Sequence, residues 1–342
     1  MAETANIADL AVKVSDEIFK KFKWERIPLM DENFTCVKGK KHSKKANHTH
    51  PVDVVFKYFD PYLKKDVLLN TDLKSYKKTS ISTDSVRTAL KSLAHTISCA
   101  KVSEEWRGKY VIEETSPYEI RGLLFVYNHD EEYDRSFENN FEGLNIANLP
   151  IDKNQIIHIL EPTLIRYLYA VINDMNNLYT NDKMPKTNYS FYYPDLQLHK
   201  AHGDSKNLPA TIETITAPYM IIHFNEVTKY IEETESIKKV AGEGYVIFYN
   251  QDGSTHEEFL YLLDTLSRFQ ILNSNATIDI RVLNPDPSRN INSNFSRAKQ
   301  KYISAWDFDD YKKAQLERIQ FGVVIFTTKK FLSENAGWRV SV

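Results

Sequence analysis

Between His50 and Tyr76 two short runs rich in Val, Leu, Phe and Tyr, Val52–Phe59 and Asp66–Leu69, flank the segment Asp-Pro-Tyr-Leu-Lys-Lys. Apolar runs of that length on either side of a Pro-containing turn predict an antiparallel hairpin. Such a hairpin decides which residues meet. Asp53 falls at the start of the first strand, and Asp72 and Lys74 fall at the end of the second. Side chains alternate along a strand, so Asp72 and Lys74 share a face. If the register sets Asp53 near Asp72, two carboxylates and one ammonium converge on one patch.

Two carboxylates suit a hard divalent cation such as Mg²⁺, which keeps most of its waters and accepts a phosphate oxygen. A metal so held polarises phosphorus and activates a water, and a nearby Lys orients that water or offsets developing charge. The arrangement fits phosphodiester hydrolysis. Pro51-Val52-Asp53, followed nineteen residues after that Asp by Asp72-Leu73-Lys74, resembles the PD-(D/E)XK nuclease core of restriction endonucleases and many phage-defence nucleases. The string Asn-Thr-Asp-Leu-Lys-Ser-Tyr resembles that of defence-type bacterial nuclease-like proteins. One departure is that Val52 splits the family's Pro-Asp pair. The chain has two other Asp-x-Lys triplets, Asp204-Ser205-Lys206 in a polar loop and Asp310-Tyr311-Lys312 in a charged helical segment. Only the first ends an apolar strand.

The resemblance implies a mixed-sheet α/β (α+β) fold with a restriction-endonuclease-like αβββαβ core. It implies Mg²⁺, or Mn²⁺, held by Asp53 and Asp72, with Lys74 positioning water. Along Ile7–Phe22 the residues Ile7, Leu10, Ala11, Val14, Ile18 and Phe22 recur at helical spacing. Glu17 falls on that stripe while Asp16 points away, and a core-facing carboxylate is costly unless paired or bound to metal. In the resembled family the first helix often adds an acid, so Glu17 is a candidate third catalytic and metal-binding residue. Pairing with Lys13, Lys20 or Lys21 is the alternative. A strand over Glu32–Lys38, a helix beginning at Ser82 or Thr83, and a buried strand over Glu119–Asn128 complete the element order that the family uses.

The formal net charge of −2 gives no global nucleic-acid signal, so any basic surface must be local. Lys38, Lys40, Lys41, Lys44 and Lys45, with Lys77 and Lys78 after the hairpin, are candidates to hold a phosphate backbone. Cys36, His42, His48 and His50 raise zinc, but their spacing matches no common finger pattern and supplies one sulfur, which disfavours it. Cys36 and Cys99 give no disulfide framework and fit a reducing cytoplasm. The first residues lack a basic region followed by an apolar one, and no apolar run is long enough to span a bilayer. The expectation is a cytoplasmic protein without membrane segments.

Farther along, Ile156–Leu178 reads as one long amphipathic helix that Pro162 starts or kinks, followed by strand-like runs Tyr189–Leu198 and Pro209–Phe224. His199 and His202 lie on a polar loop between them. Tyr245–Asn250, His256–Phe269 and Thr277–Leu283 form a strand–helix–strand unit, with a helical Ser296–Gln320 and a final strand over Phe321–Thr327. The domains expected are a nuclease-like residues 1–224 with a helical insertion and an α/β accessory or interaction unit over 225–342. The function expected is a metal-dependent endonuclease of phage defence, with DNA favoured, working as a homodimer or with a partner subunit. An inactive nuclease-like subunit that binds nucleic acid or a partner is the alternative.

Overall fold

The structure, a computed structural model, describes residues 2–42, 47–111, 116–142, 148–195, 207–231, 235–273, 275–307 and 310–326. Its described residues divide into two compact units, one within Met1–Asp60 and Lys64–Arg166 and the other within Pro61–Leu63 and Tyr167–Thr327.

The first unit is a five-stranded sheet between two helical layers. Helix α1 (Ala2–Lys21) precedes strands β1 (Glu25–Thr35), β2 (Thr49–Asp60) and β3 (Lys65–Tyr76). Helices α2 (Thr83–Ala100) and α3 (Glu104–Tyr110) lead to β4 (Tyr118–Asn128), and the short α4 (Asn139–Glu142) leads to β5 (Ile157–Leu160). The sheet order is β1-β2-β3-β4-β5, antiparallel from β1 to β3 and parallel from β3 to β5. A parallel β3–β4 pair needs a crossover, and α2 with α3 provides it. This is the mixed sheet and the α, three-strand, α, strand order of the restriction-endonuclease-like fold.

Period-two alternation sends successive side chains to opposite layers. Phe56 and Phe125 meet Phe19 of α1 at ring separations of 4.6 and 5.9 Å. Leu68, Ile120, Leu124 and Val126 instead share a core with Val86, Leu90, Leu93 and Ile97 of α2. Ser82 caps α2 by accepting from the Ser85 amide, and Ser85 answers through its own side chain, which ties down the orphan donors at that terminus. On α3, Trp106 is fully buried and its indole N–H donates to Asn70 Oδ1 at 3.0 Å.

Several segments differ from expectation. Strand β1 begins at Glu25, well before Glu32. Strand β3 runs past Leu69 to Tyr76, so Asp72 and Lys74 lie within it. Ile157–Leu160 is a strand, not the start of the long helix, because it continues the sheet beside β4; Pro162 opens the helix α5 (Pro162–Thr180) behind it. Pro at a first helical position loses no hydrogen bond.

The second unit carries its own sheet, ordered β12-β11-β10-β7-β6. Strand β6 is Ser190–Phe191, and a short helix α6 (Ile212–Thr216) precedes β7 (Tyr219–Phe224). Of the expected run 189–198 only Ser190–Phe191 is strand among the described residues, and the expected run 209–224 divides into a short helix and a strand. An unforeseen hairpin of β8 (Val227–Ile231) and β9 (Ser236–Ala241) follows. Strand β10 (Gly244–Tyr249), helix α7 (His256–Arg268) and strand β11 (Thr277–Val282) form the expected parallel unit, followed by α8 (Ile291–Trp306), α9 (Asp310–Glu317) and β12 (Gln320–Val323). Strand β7 pairs with β10 from Tyr219↔Tyr249 to Phe224↔Gly244. The expected divide at 224/225 therefore cuts through a sheet and is corrected to the neighbourhood of residue 166.

Candidate active site

Strand β3 changes character along one face. Leu68 and Asn70 are buried under the α2–α3 layer, whereas Asp72, Lys74 and Tyr76, two residues apart on that same face, are only half-buried. The apolar layer runs out there, so polar side chains sit at a water-accessible rim on a rigid strand.

Register brings Asp53 to them. The β2–β3 ladder ends at Val54↔Thr71, which leaves Asp53 as the next residue beside Asp72. Asp53 Oδ2 accepts the Leu73 amide at 2.7 Å, so a carboxylate stands where a ladder carbonyl would. Lys74 Nζ donates to Asp72 Oδ1. Burial, and then the Asp72 charge beside it, push the Asp53 carboxyl up to about 6, against the opposing pull of the Leu73 amide and Lys74. Burial pulls Lys74 downward, but Asp72 and Asp53 outweigh it and the ammonium is held above its usual value. Tyr76 completes the face; burial raises its hydroxyl, with Lys74 opposing and Asp72 assisting.

Two carboxylates side by side form a donor set short of positive charge. Hard oxygen ligands, a water-accessible rim and an adjacent ammonium fit a divalent cation of the Mg²⁺ type. The expected convergence of Asp53, Asp72 and Lys74 is thus present in space.

Glu17 does not occupy the place expected. It is exposed, because the buried stripe of α1 runs through Ala11, Val14, Ser15, Ile18, Phe19 and Phe22. The cost that would call for a metal partner is therefore absent. Asp16, expected to point away, is the half-buried one and pairs with Arg26 of β1.

The basic residues divide. Lys38 Nζ donates to Ser98 Oγ at 2.5 Å and pairs with Asp152 at 3.1 Å, and Lys78 pairs with Asp134 at 2.7 Å. Lys41 and Lys77 are exposed. Lys44, Lys45 and the Lys40 side chain lie outside the described residues, as do His199, His202 and the triplet at Asp204. Sequence reading passed over Tyr76, although strand alternation places it on the same face as Lys74. It also missed Cys99, which α2 brings to Cys36, His42 and His50.

Residues 1–164 match the family described as the GAPS4 protein PD-(D/E)XK nuclease domain. No curated protein and no solved structure matches the chain. Among the described residues no helix is long and apolar enough to cross a membrane.

Proposed function

We propose, from the premise that residues 1–164 form a PD-(D/E)XK nuclease domain, that this protein is a metal-dependent endonuclease that cuts DNA as part of phage defence. The observation that carries the reading is the convergence of Asp53, Asp72 and Lys74 at the end of the β2–β3 ladder.

Asp53 and Asp72 are the residues that would hold Mg²⁺ or Mn²⁺. A cation in that position supplies a Lewis acid for the scissile phosphate and lowers the pKa of a bound water. The Leu73 amide fixes one Asp53 oxygen and leaves the other for the ligand role. Lys74 stays protonated beside the carboxylates, so it donates to the attacking water or to a phosphate oxygen as negative charge builds. Tyr76, on the same face, is placed to orient that water or phosphate. The exposed Lys41 and Lys77 are the described residues suited to hold the nucleic-acid backbone, and binding through them weakens as salt rises. Cutting both strands calls for two such sites, which a homodimer or a partner subunit would supply.

The test is cleavage of plasmid, linear DNA and RNA with Mg²⁺ or Mn²⁺ against EDTA, for wild type, Asp72→Ala and Lys74→Ala. Metal-dependent cutting of DNA that falls by ~10²-fold or more in both variants is expected, the order of magnitude of a lost transition-state donor. Equal cutting by all three proteins would sink the proposal. Salt-sensitive binding without any cutting, also with co-expressed partner candidates present, would instead identify an inactive nuclease-like binding subunit.

A further inference from the structure

A second polar constellation lies in the first unit, on the α2 side of the sheet. Cys36 follows β1, His42 lies in the loop after it, His50 is on β2 and Cys99 is near the end of α2. Their ligand atoms lie within 4.8 Å of one another. Cys36 Sγ stands 3.8 Å from Cys99 Sγ and 3.6 Å from His42 Nδ1. His42 Nδ1 is also 3.3 Å from Cys99 Sγ and 3.3 Å from His50 Nε2.

Hydrogen bonding does not account for this. A neutral imidazole nitrogen offers one N–H or one lone pair, yet His42 Nδ1 faces three partners at once. A tetrahedral metal does account for it. Zinc bonds of ~2.3 Å to sulfur and ~2.05 Å to nitrogen require edges of roughly 3.8 Å for S···S, roughly 3.6 Å for S···N and roughly 3.3 Å for N···N. These four of the six ligand–ligand distances match those edges within a few tenths of an ångström, and the other two, from His50 to the sulfurs, lie within 4.8 Å.

We propose that Cys36, His42, His50 and Cys99 bind one Zn²⁺ in a closed Cys₂His₂ site. This corrects the sequence-based reading, which had a single sulfur and counted His48. The second sulfur comes from α2, and His48 instead packs its ring 4.8 Å from that of His50. Thiolate and imidazole ligands in a tetrahedron select zinc over Mg²⁺, which prefers oxygen and octahedral geometry. Both thiols ionise on binding and release their protons, which makes the neutral set Zn²⁺, two thiolates and two imidazoles.

Four protein ligands leave no open position, so the role is structural. The site joins the start of β2 and the α2 layer to the loop carrying Lys38 and Lys41, whose ends are already closed by the Cys36 amide donating to the His48 carbonyl at 2.9 Å. His50 is three residues from Asp53 on the same strand, so zinc would fix the end of the strand that carries the candidate metal-binding acid. His95 stacks on His42 at 4.3 Å and steadies that ring.

The inference stands apart from the proposed nuclease reading, and its test reads metal, not cleavage. The full chain, purified under reducing conditions without chelator, is analysed by elemental mass spectrometry. About one zinc per chain is expected. Asp72→Ala should retain it, and Cys36→Ser and Cys99→Ser should lose it. After chelation, wild type refilled with Co²⁺ should show the intense visible bands of tetrahedral cobalt with sulfur-to-metal charge transfer, a readout independent of whether the variants fold. Wild type that holds no zinc and gives no tetrahedral cobalt spectrum would overturn the proposal. So would a Cys36–Cys99 disulfide in freshly purified protein, or zinc that persists in both serine variants or disappears in Asp72→Ala.

Discussion

At the residue scale the most informative group is Asp53. Its carboxyl ordinarily titrates near 3.8 and is raised to about 6 in the fold. The folded chain therefore keeps a proton that the unfolded chain releases. Without metal, stability present below pH 3.8 is lost as pH rises through about 6. The change amounts to on the order of 2–3 kcal/mol. A divalent cation displaces that proton, so its affinity should fall about tenfold per pH unit below pH 6. Thermal unfolding should show a Mg²⁺-induced rise in Tm that is large at pH 7.5 and small at pH 5. Asp53→Asn keeps an acceptor for the Leu73 amide and removes the repulsion with Asp72. It should raise the metal-free Tm at pH 7.5 by a few degrees and abolish the Mg²⁺ response. A Mg²⁺ response that is equal at both pH values would contradict the placement of the cation at Asp53.

Asp72 and Lys74 were legible in the sequence because a strand's period is two and the chain supplied an apolar run to read it from. Glu17 was misplaced because helical spacing admits neighbouring stripes, and Ser15 and Phe19 widened the buried face toward Asp16. Cys99 was invisible for another reason. Its partners lie far away in sequence, and only the crossover of α2 over the sheet brings them together.

At the element scale, β3 and β4 are the axis of the first unit, and α2 seals one side of them. Gly122 on β4 marks where that seal is tightest: a Cβ there would stand 3.2 Å from side-chain atoms of Leu93 and Ile97 of α2 and of Ile157 of β5. Gly122→Ala should cost about 1–3 kcal/mol by overpacking, read as a lower midpoint of denaturant unfolding with an unchanged slope. Asn70 gives the complementary case. Replacing it with Ala leaves the buried Trp106 N–H without its acceptor, at about 1–3 kcal/mol. Its effect should exceed that of exposed substitutions on the same layer, such as Lys91→Ala. The existence of these elements could be read from hydrophobic period. Their ends could not, because a short apolar run such as Ile157–Leu160 satisfies helix and strand alike until a neighbour, here β4, pairs with it.

At the scale of the whole molecule, the boundary between units follows pairing more than composition. The sequence changes texture near Asn225, but β7 before that point hydrogen-bonds to β10 after it. Helix α5 is bound to the same unit through Asp174, whose carboxylate accepts from Arg281 Nε at 2.7 Å and from Nη2 at 2.5 Å. Asp174 is buried and Arg281 is partly buried. Burial raises the neighbouring Asp279, with Arg281 opposing. Asp174→Ala would leave the guanidinium with Asp279 as its remaining close acid and should cost on the order of 3–5 kcal/mol. A chain starting at residue 225 lacks α5, β6 and β7, so β10 becomes a bare edge rich in apolar side chains. Such an edge pairs with other chains, and the fragment should be recovered as aggregate. A chain starting at Tyr167 keeps α5 from that residue on, with Asp174, and the full sheet, and should give the cooperative unfolding transition that the shorter one lacks. If the shorter fragment were instead a soluble, cooperatively folded monomer, the β7–β10 pairing would not be what defines this unit.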